Sequence, residues 1–182
     1  NDIWVNMYVP STLCWDKKKL KLIQLGDFPK SNSMDLTLSL EHSTDFSLNL
    51  FIPSWAKYVT VYVNEEKYTH NSPLSYFCLK RKWNSGDKIT VCFDFEFYAK
   101  SMPDDKNVVA LYYGPILLAF ESVEEVILKG SVDDILNGLK CLDKHNGHFS
   151  LNTGDNHFLL KPFFDIEQES YGVYATFSRF DI

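Results

Sequence analysis

Met34-Asp35-Leu36-Thr37-Leu38-Ser39-Leu40 alternates apolar and polar residues without a break, and Phe46-Ser47-Leu48-Asn49-Leu50-Phe51-Ile52 follows with the same period. Successive side chains of a strand point to opposite faces, so each run presents one core face and one more polar face. Val59, Val61 and Val63 alternate with Thr60 and Tyr62, and Ile89, Val91, Phe93 and Phe95 with Thr90, Cys92 and Asp94. Ile3, Val5, Met7 and Val9 supply a further run near the start. Short strands separated by turns, without the helical crossovers a parallel sheet requires, predict an all-β, antiparallel β-sandwich.

Working outward, the turns fall between these runs. Gly26-Asp27-Phe28-Pro29 and Ile52-Pro53-Ser54-Trp55 each end one, and Asn84-Ser85-Gly86-Asp87 separates two. Asn64-Glu65-Glu66-Lys67 reads as a hairpin tip without the expected glycine. Met102-Pro103-Asp104-Asp105-Lys106-Asn107 marks a boundary, dividing the chain into two consecutive sandwich domains, 1–104 and a smaller 105–182. Beyond it, Val108–Tyr113 and Ile116–Phe120 flank Gly114-Pro115 and are apolar on both faces, as in a strand held between two layers. One short helix is expected over Val132–Lys140, with Ser131 and Asp134 as a capping box and Ile135, Leu136 and Leu139 as its apolar stripe. Strand signals return at Phe149–Leu151, His157–Lys161 and Tyr171–Phe177.

Composition limits the functional classes. The 182 residues are 45% hydrophobic and 23% charged, with 18 Lys and Arg against 24 Asp and Glu, a net charge of −6. No apolar run approaches the roughly 20 residues of a membrane-spanning helix. Basic residues cluster only at Lys17-Lys18-Lys19 and Lys80-Arg81-Lys82, which disfavours nucleic acid as a partner. Aromatic residues make up 15%, which suits a β protein or one that offers ring faces to sugars. The chain begins at Asn1 and enters a strand-like run at once, which reads as a cut inside a longer protein. The compartment is therefore not legible from the ends.

The chemistry-bearing residues form no catalytic constellation. Cys14, Cys78, Cys92 and Cys141 lack C-x-x-C or C-x-x-H spacing and are expected as small buried hydrophobes. A hairpin centred on Ser85 would set Cys78 opposite Cys92 at disulfide distance, although two free thiols are the favoured reading. Glu65-Glu66, Asp104-Asp105, Glu124-Glu125 and Asp133-Asp134 are adjacent pairs that point apart, unlike two carboxyl groups held across a glycosidase cleft. His145-x-x-His148 has metal-ligand spacing but no nearby partner, and His42, His70 and His157 are scattered. No G-x-S-x-G, P-loop or dinucleotide fingerprint is present. No catalytic or metal-binding residue is nominated.

A resemblance adds a family. Its residues are Ile3-Trp4-Val5-Asn6-Met7-Tyr8-Val9-Pro10-Ser11, Gln24-Leu25-Gly26-Asp27-Phe28-Pro29, Leu50-Phe51-Ile52-Pro53-Ser54-Trp55-Ala56, Val61-Tyr62-Val63-Asn64, Trp83-Asn84-Ser85-Gly86-Asp87-Lys88-Ile89 and the run Val109 to Ala119. Pro162-Phe163-Phe164-Asp165-Ile166 with Tyr171-Gly172-Val173-Tyr174 closes the series. In this order they resemble the C-terminal part of the β-L-arabinofuranosidases of glycoside hydrolase family 127, except over Glu121–Asn156. The resemblance implies an (α/α)6 barrel ahead of these strands, carrying a zinc-held cysteine nucleophile and a glutamate acid/base. None of the four cysteines here matches those motifs, so no cofactor is expected in this chain and zinc is expected in the missing barrel. Two positions depart from the pattern: Asn64 is followed by Glu65 instead of glycine, and Asp165-Ile166 by Glu167 instead of histidine.

The expected function is a non-catalytic β-sandwich region supporting the missing barrel, with a carbohydrate-binding module as the alternative. Trp4, Trp15 and Trp55 are the candidates to pack on the barrel, and Tyr8, Tyr58, Tyr62 and Tyr76 the candidates to stack on sugars. Partners are the parent's own barrel, a glycan or a second copy of the chain. Polysaccharide-degrading members imply a periplasmic or secreted parent, while cytoplasmic members carry the same pattern.

Overall fold

The computed structural model of the chain describes residues 2–122, 124–144 and 146–178. Its architecture is all-β with one short helix, as the alternation predicts. It divides into two compact units, Asn1–Phe95 and Glu96–Ile182.

The first unit contains β1 (Asp2–Val5), β2 (Ser11–Trp15), β3 (Leu20–Leu25), β4 (Ser33–Leu40), β5 (Thr44–Ile52), β6 (Val59–Val63), β7 (Glu66–His70), β8 (Ser75–Trp83) and β9 (Lys88–Phe93). Two sheets form: a three-stranded one ordered β1-β5-β8 and a six-stranded one ordered β2-β3-β4-β9-β6-β7. Only β1 with β5 is parallel; the other pairs are antiparallel. The period-two runs supply the core: Met34, Leu36 and Leu38 of β4, Leu48, Leu50 and Ile52 of β5, Val59, Val61 and Val63 of β6, and Ile89, Val91 and Phe93 of β9 are all buried. Burying one such side chain contributes about 1.5–3 kcal/mol, and this layer is what holds the unit together.

Three expectations change here. The opening run keeps its parity only through Val5; the chain then leaves the sheet, so Met7 and Val9 are exposed and Tyr8 is buried instead. The Ser85 turn is not a hairpin, because β8 pairs with β5 while β9 pairs with β4 and β6. It crosses between sheets, closing on itself through Asn84 and Asp87 while other groups of the turn bind strand β4. Gly86 N–H donates to the Leu38 carbonyl (2.8 Å), Leu38 N–H to the Asp87 carbonyl (2.9 Å), and Leu40 N–H to Ser85 Oγ (3.1 Å). Cys78 therefore lies opposite Asn49, Cys92 opposite Ser33 and Thr60, and all four cysteines are free thiols. They are also not core residues: Cys14, Cys78 and Cys141 are exposed and Cys92 is half-buried.

The second unit contains β10 (Phe97–Ser101), β11 (Val108–Tyr113), β12 (Ile116–Glu121), β13 (Val126–Leu128), α1 (Val132–Gly138), β14 (Lys140–Asp143), β15 (His148–Thr153), β16 (Asn156–Pro162), β17 (Tyr171–Gly172) and β18 (Ala175–Phe177). Among the described residues these strands join one forked sheet, in which β11 pairs with β10, β12 and β18, and β12 also with β16 and β17. Met102–Asn107, expected as the domain boundary, is the connection between β10 and β11 inside this unit. Gly114, at φ 54°, and Pro115 form the tight turn from β11 to β12. Helix α1 has the expected capping box: Ser131 Oγ accepts from Asp134 N–H (3.2 Å), and the Asp134 carboxylate accepts from Ser131 N–H (3.0 Å). Its Ile135 and the following Leu139 are buried, with Phe120, Leu118, Leu128, Phe149, Leu151 and Leu160 among the large buried side chains of this unit.

Candidate functional site

Two outward sheet faces of the first unit carry aromatic rings among polar groups. On β5 the inward side chains are Leu48, Leu50 and Ile52, so Ser47, Asn49 and Phe51 face outward. The register sets Trp4 opposite Asn49, Asn49 opposite Cys78 and Phe51 opposite Tyr76. Trp4 and Tyr76 meet edge to face at 4.6 Å, and Phe51 lies 5.3 Å from Tyr76. Tyr76 donates its phenol to Asn6 Oδ1 (2.8 Å), and Asn49, itself buried, donates to the Ile3 carbonyl (3.3 Å). Trp4 remains 54% exposed and Tyr76 39%, so this cross-strand cluster offers ring surface to a partner.

The second face belongs to the six-stranded sheet, where Tyr62, Thr90 and Asp35 form a row across β6, β9 and β4. Beside it the β6–β7 hairpin turns through Asn64 (φ 49°) and Glu65 (φ 76°), between paired Val63 and Glu66. This is the two-residue turn with both φ values positive that normally takes glycine second. Its geometry is held by polar contacts. Asn64 Oδ1 accepts from Lys88 N–H (2.8 Å), Asn64 Nδ2 donates to Asp87 Oδ1 (2.7 Å), and Asp87 Oδ2 accepts from Asn84 N–H (2.8 Å). Lys88 Nζ lies 2.8 Å from Asp35 Oδ2, and Thr90 donates to Asp35 Oδ1 (2.6 Å). Partial burial pushes the Asp35 carboxyl up, but the Lys88 and Thr90 hydrogen bonds and the Lys88 charge outweigh it and hold it below its ordinary value. Tyr62, Asn64, Glu65, Lys88 and Thr90 line an open groove of about 720 Å³.

The residues expected from the sequence thus separate. Trp4 and Tyr76, assigned to different roles, are neighbours on one face, while Tyr62 stands on another. Tyr58 is exposed just ahead of β6. Tyr8 presents no face to a ligand: its ring packs on Phe93 at 4.8 Å, its phenol donates to the Phe51 carbonyl (2.9 Å), and burial pushes its pKa up. Trp55 is half-buried against Phe93 and Phe95 at the edge of the core, and half-buried Trp15 has Lys18 Nζ 5.7 Å from its ring. Phe51, Glu65, Lys88 and Thr90 were not nominated, because only the pairing of the strands puts them beside the tyrosines. Among the described residues no group of three or more His, Cys, Asp or Glu is placed to hold a metal ion. The His145-x-x-His148 spacing lies partly outside the described residues, at His145.

Two layered sheets with ring-bearing outer faces, and no catalytic pair assembled among the described residues, define an all-β sandwich domain. The structure superposes on a solved glycoside hydrolase (TM-score 0.70, 17% identity), on a GH127 β-L-arabinofuranosidase from Geobacillus stearothermophilus T6 (0.70, 18%) and on a GH127 β-arabinofuranosidase (0.70, 22%). In each case 97% of this chain is covered, but only 36%, 34% and 35% of the other, so the chain spans about a third of the length of these proteins. The family model described as β-L-arabinofuranosidase, GH127 middle domain, matches residues 2–95, and the chain belongs to that family. No curated protein matches. The matched segment coincides with the first compact unit, and it is the family's middle domain, not the C-terminal part that the sequence resemblance suggested.

Proposed function

We propose that this chain is the non-catalytic β-sandwich region of a family 127 glycoside hydrolase, holding in place a catalytic barrel that lies elsewhere in the parent protein. The observation that carries this reading is the middle-domain match over residues 2–95 in a chain spanning about a third of its solved relatives. The second unit would be the sandwich that follows the middle domain, supported by the 97% coverage. The exposed Trp4–Phe51–Tyr76 face would pack against the barrel, and the zinc, cysteine nucleophile and glutamate would reside in that barrel.

The test compares the intact parent with this chain. Hydrolysis of a β-L-arabinofuranoside is expected from the parent and not from the chain. Trp4→Ser with Tyr76→Ser is expected to lower the melting temperature of the parent more than that of the chain. Hydrolysis by the chain alone, or an equal loss in both, would overturn the reading. A second reading, carbohydrate binding, is favoured by the groove at Tyr62.

A further inference from the structure

The geometry points to a saccharide-binding subsite in the open groove on the six-stranded sheet, in which the Tyr62 ring stacks on a sugar and the Glu65 carboxylate and Lys88 ammonium take its hydroxyls. Three observations meet there. The groove, about 720 Å³, is wide enough for a sugar unit and joins one ring face to a hydroxyl, an amide, an ammonium and a carboxylate. That mixture fits a neutral polyhydroxylated ligand, whose C–H faces pack on rings and whose hydroxyls both donate and accept.

The groups around the groove are also fixed in advance. Lys88 is held by Asp35, Thr90 by the same carboxylate, and Asn64 by Asp87 and the Lys88 backbone. A ligand would meet these three side chains already held, which lowers the entropic cost of binding them.

Glu65 is the third observation. Its carboxylate has no hydrogen-bond or ion-pair partner among the described residues, and it occupies a left-handed conformation (φ 76°) that glycine would adopt without strain. A strained residue with an uncommitted carboxylate, at the lip of a groove, is accounted for by a ligand that engages it.

The choice of sugar rests on the family reading; the groove itself does not. Arabino-oligosaccharides and xylo-oligosaccharides would be titrated separately into the 182-residue chain by calorimetry. Binding of either set supports the subsite, and binding of xylo-oligosaccharides alone counts only against the arabinofuranoside reading of the parent. Tyr62→Ala and Glu65→Gln are each expected to weaken binding about tenfold. Glu65→Gly separates ligand from fold: it is expected to raise the melting temperature by about 4 °C while weakening binding by a similar factor. Failure of both sugar sets to bind would overturn the proposal, as would unchanged affinity in Tyr62→Ala and Glu65→Gly.

Discussion

Trp83 shows how one side chain ties β8 to its neighbour β5 within the three-stranded sheet. It is fully buried at the end of β8, its ring stacks on Phe46 at 5.7 Å, and its indole N–H donates to the Phe46 carbonyl (3.1 Å). Trp83→Phe removes ring volume and the buried indole hydrogen bond, so a loss of about 2–4 kcal/mol is expected in urea unfolding. Asp35 gives a pH-dependent counterpart. Its carboxyl titrates lower in the folded chain than unfolded, so it contributes stability above the unfolded value, near 4, and loses it as pH falls through the folded value. Asp35→Asn is therefore expected to flatten stability against pH below about pH 4, read from thermal melts. At this scale the outward placement of Tyr62 and Tyr76 was legible from alternation alone. That of Tyr8 was not, since the chain leaves the sheet after Val5 and nothing in Asn6-Met7 announces it.

Among the elements, turns were harder to read than strands. Asn84-Ser85-Gly86-Asp87 has the composition of a hairpin, yet it connects two sheets, because a turn signal fixes where a chain bends and not which strand it joins next. The buried Asp87 carboxylate accepts from Asn84 N–H within the turn and from Asn64 Nδ2 at the β6–β7 hairpin, and no period-two pattern reveals those bonds. Asp87→Ala is expected to cost about 2–3 kcal/mol in chemical denaturation, because both donors lose a charged acceptor. The groove went unseen for the same reason: it needs β6, β9 and β4 side by side, and the sequence shows three strands without their order. Helix α1 was legible because its signal is local; Ser131→Ala, by removing the cap, is expected to lower stability by about 1 kcal/mol in the same measurement.

For the molecule as a whole, the compact units divide after Phe95, ahead of the Met102–Asn107 segment that the sequence marks as a boundary. The Pro- and Asp-rich Met102–Asn107 segment is a stronger turn signal than Asp94-Phe95-Glu96, where the units divide and neither glycine nor proline occurs. Because the first unit has its own core and coincides with the family match, residues 1–95 alone are expected to give a dispersed amide NMR spectrum and one cooperative melt. A spectrum of collapsed resonances would show that the core needs residues beyond Phe95.

The order of the six-stranded sheet has a temporal consequence. The last strand of the unit, β9, sits in the middle, and it alone links β2-β3-β4 to β6-β7. Two hairpin-built halves can form early on a growing chain, but they have no shared edge until Lys88–Phe93 arrives between them. Such late, long-range closure makes for slow folding, on the order of milliseconds to seconds. During synthesis both halves would wait with open edges that invite association with other chains. The residues from Lys88 to Phe93 thus act as a keystone, and the period before their emergence from the ribosome is when this protein most needs a chaperone.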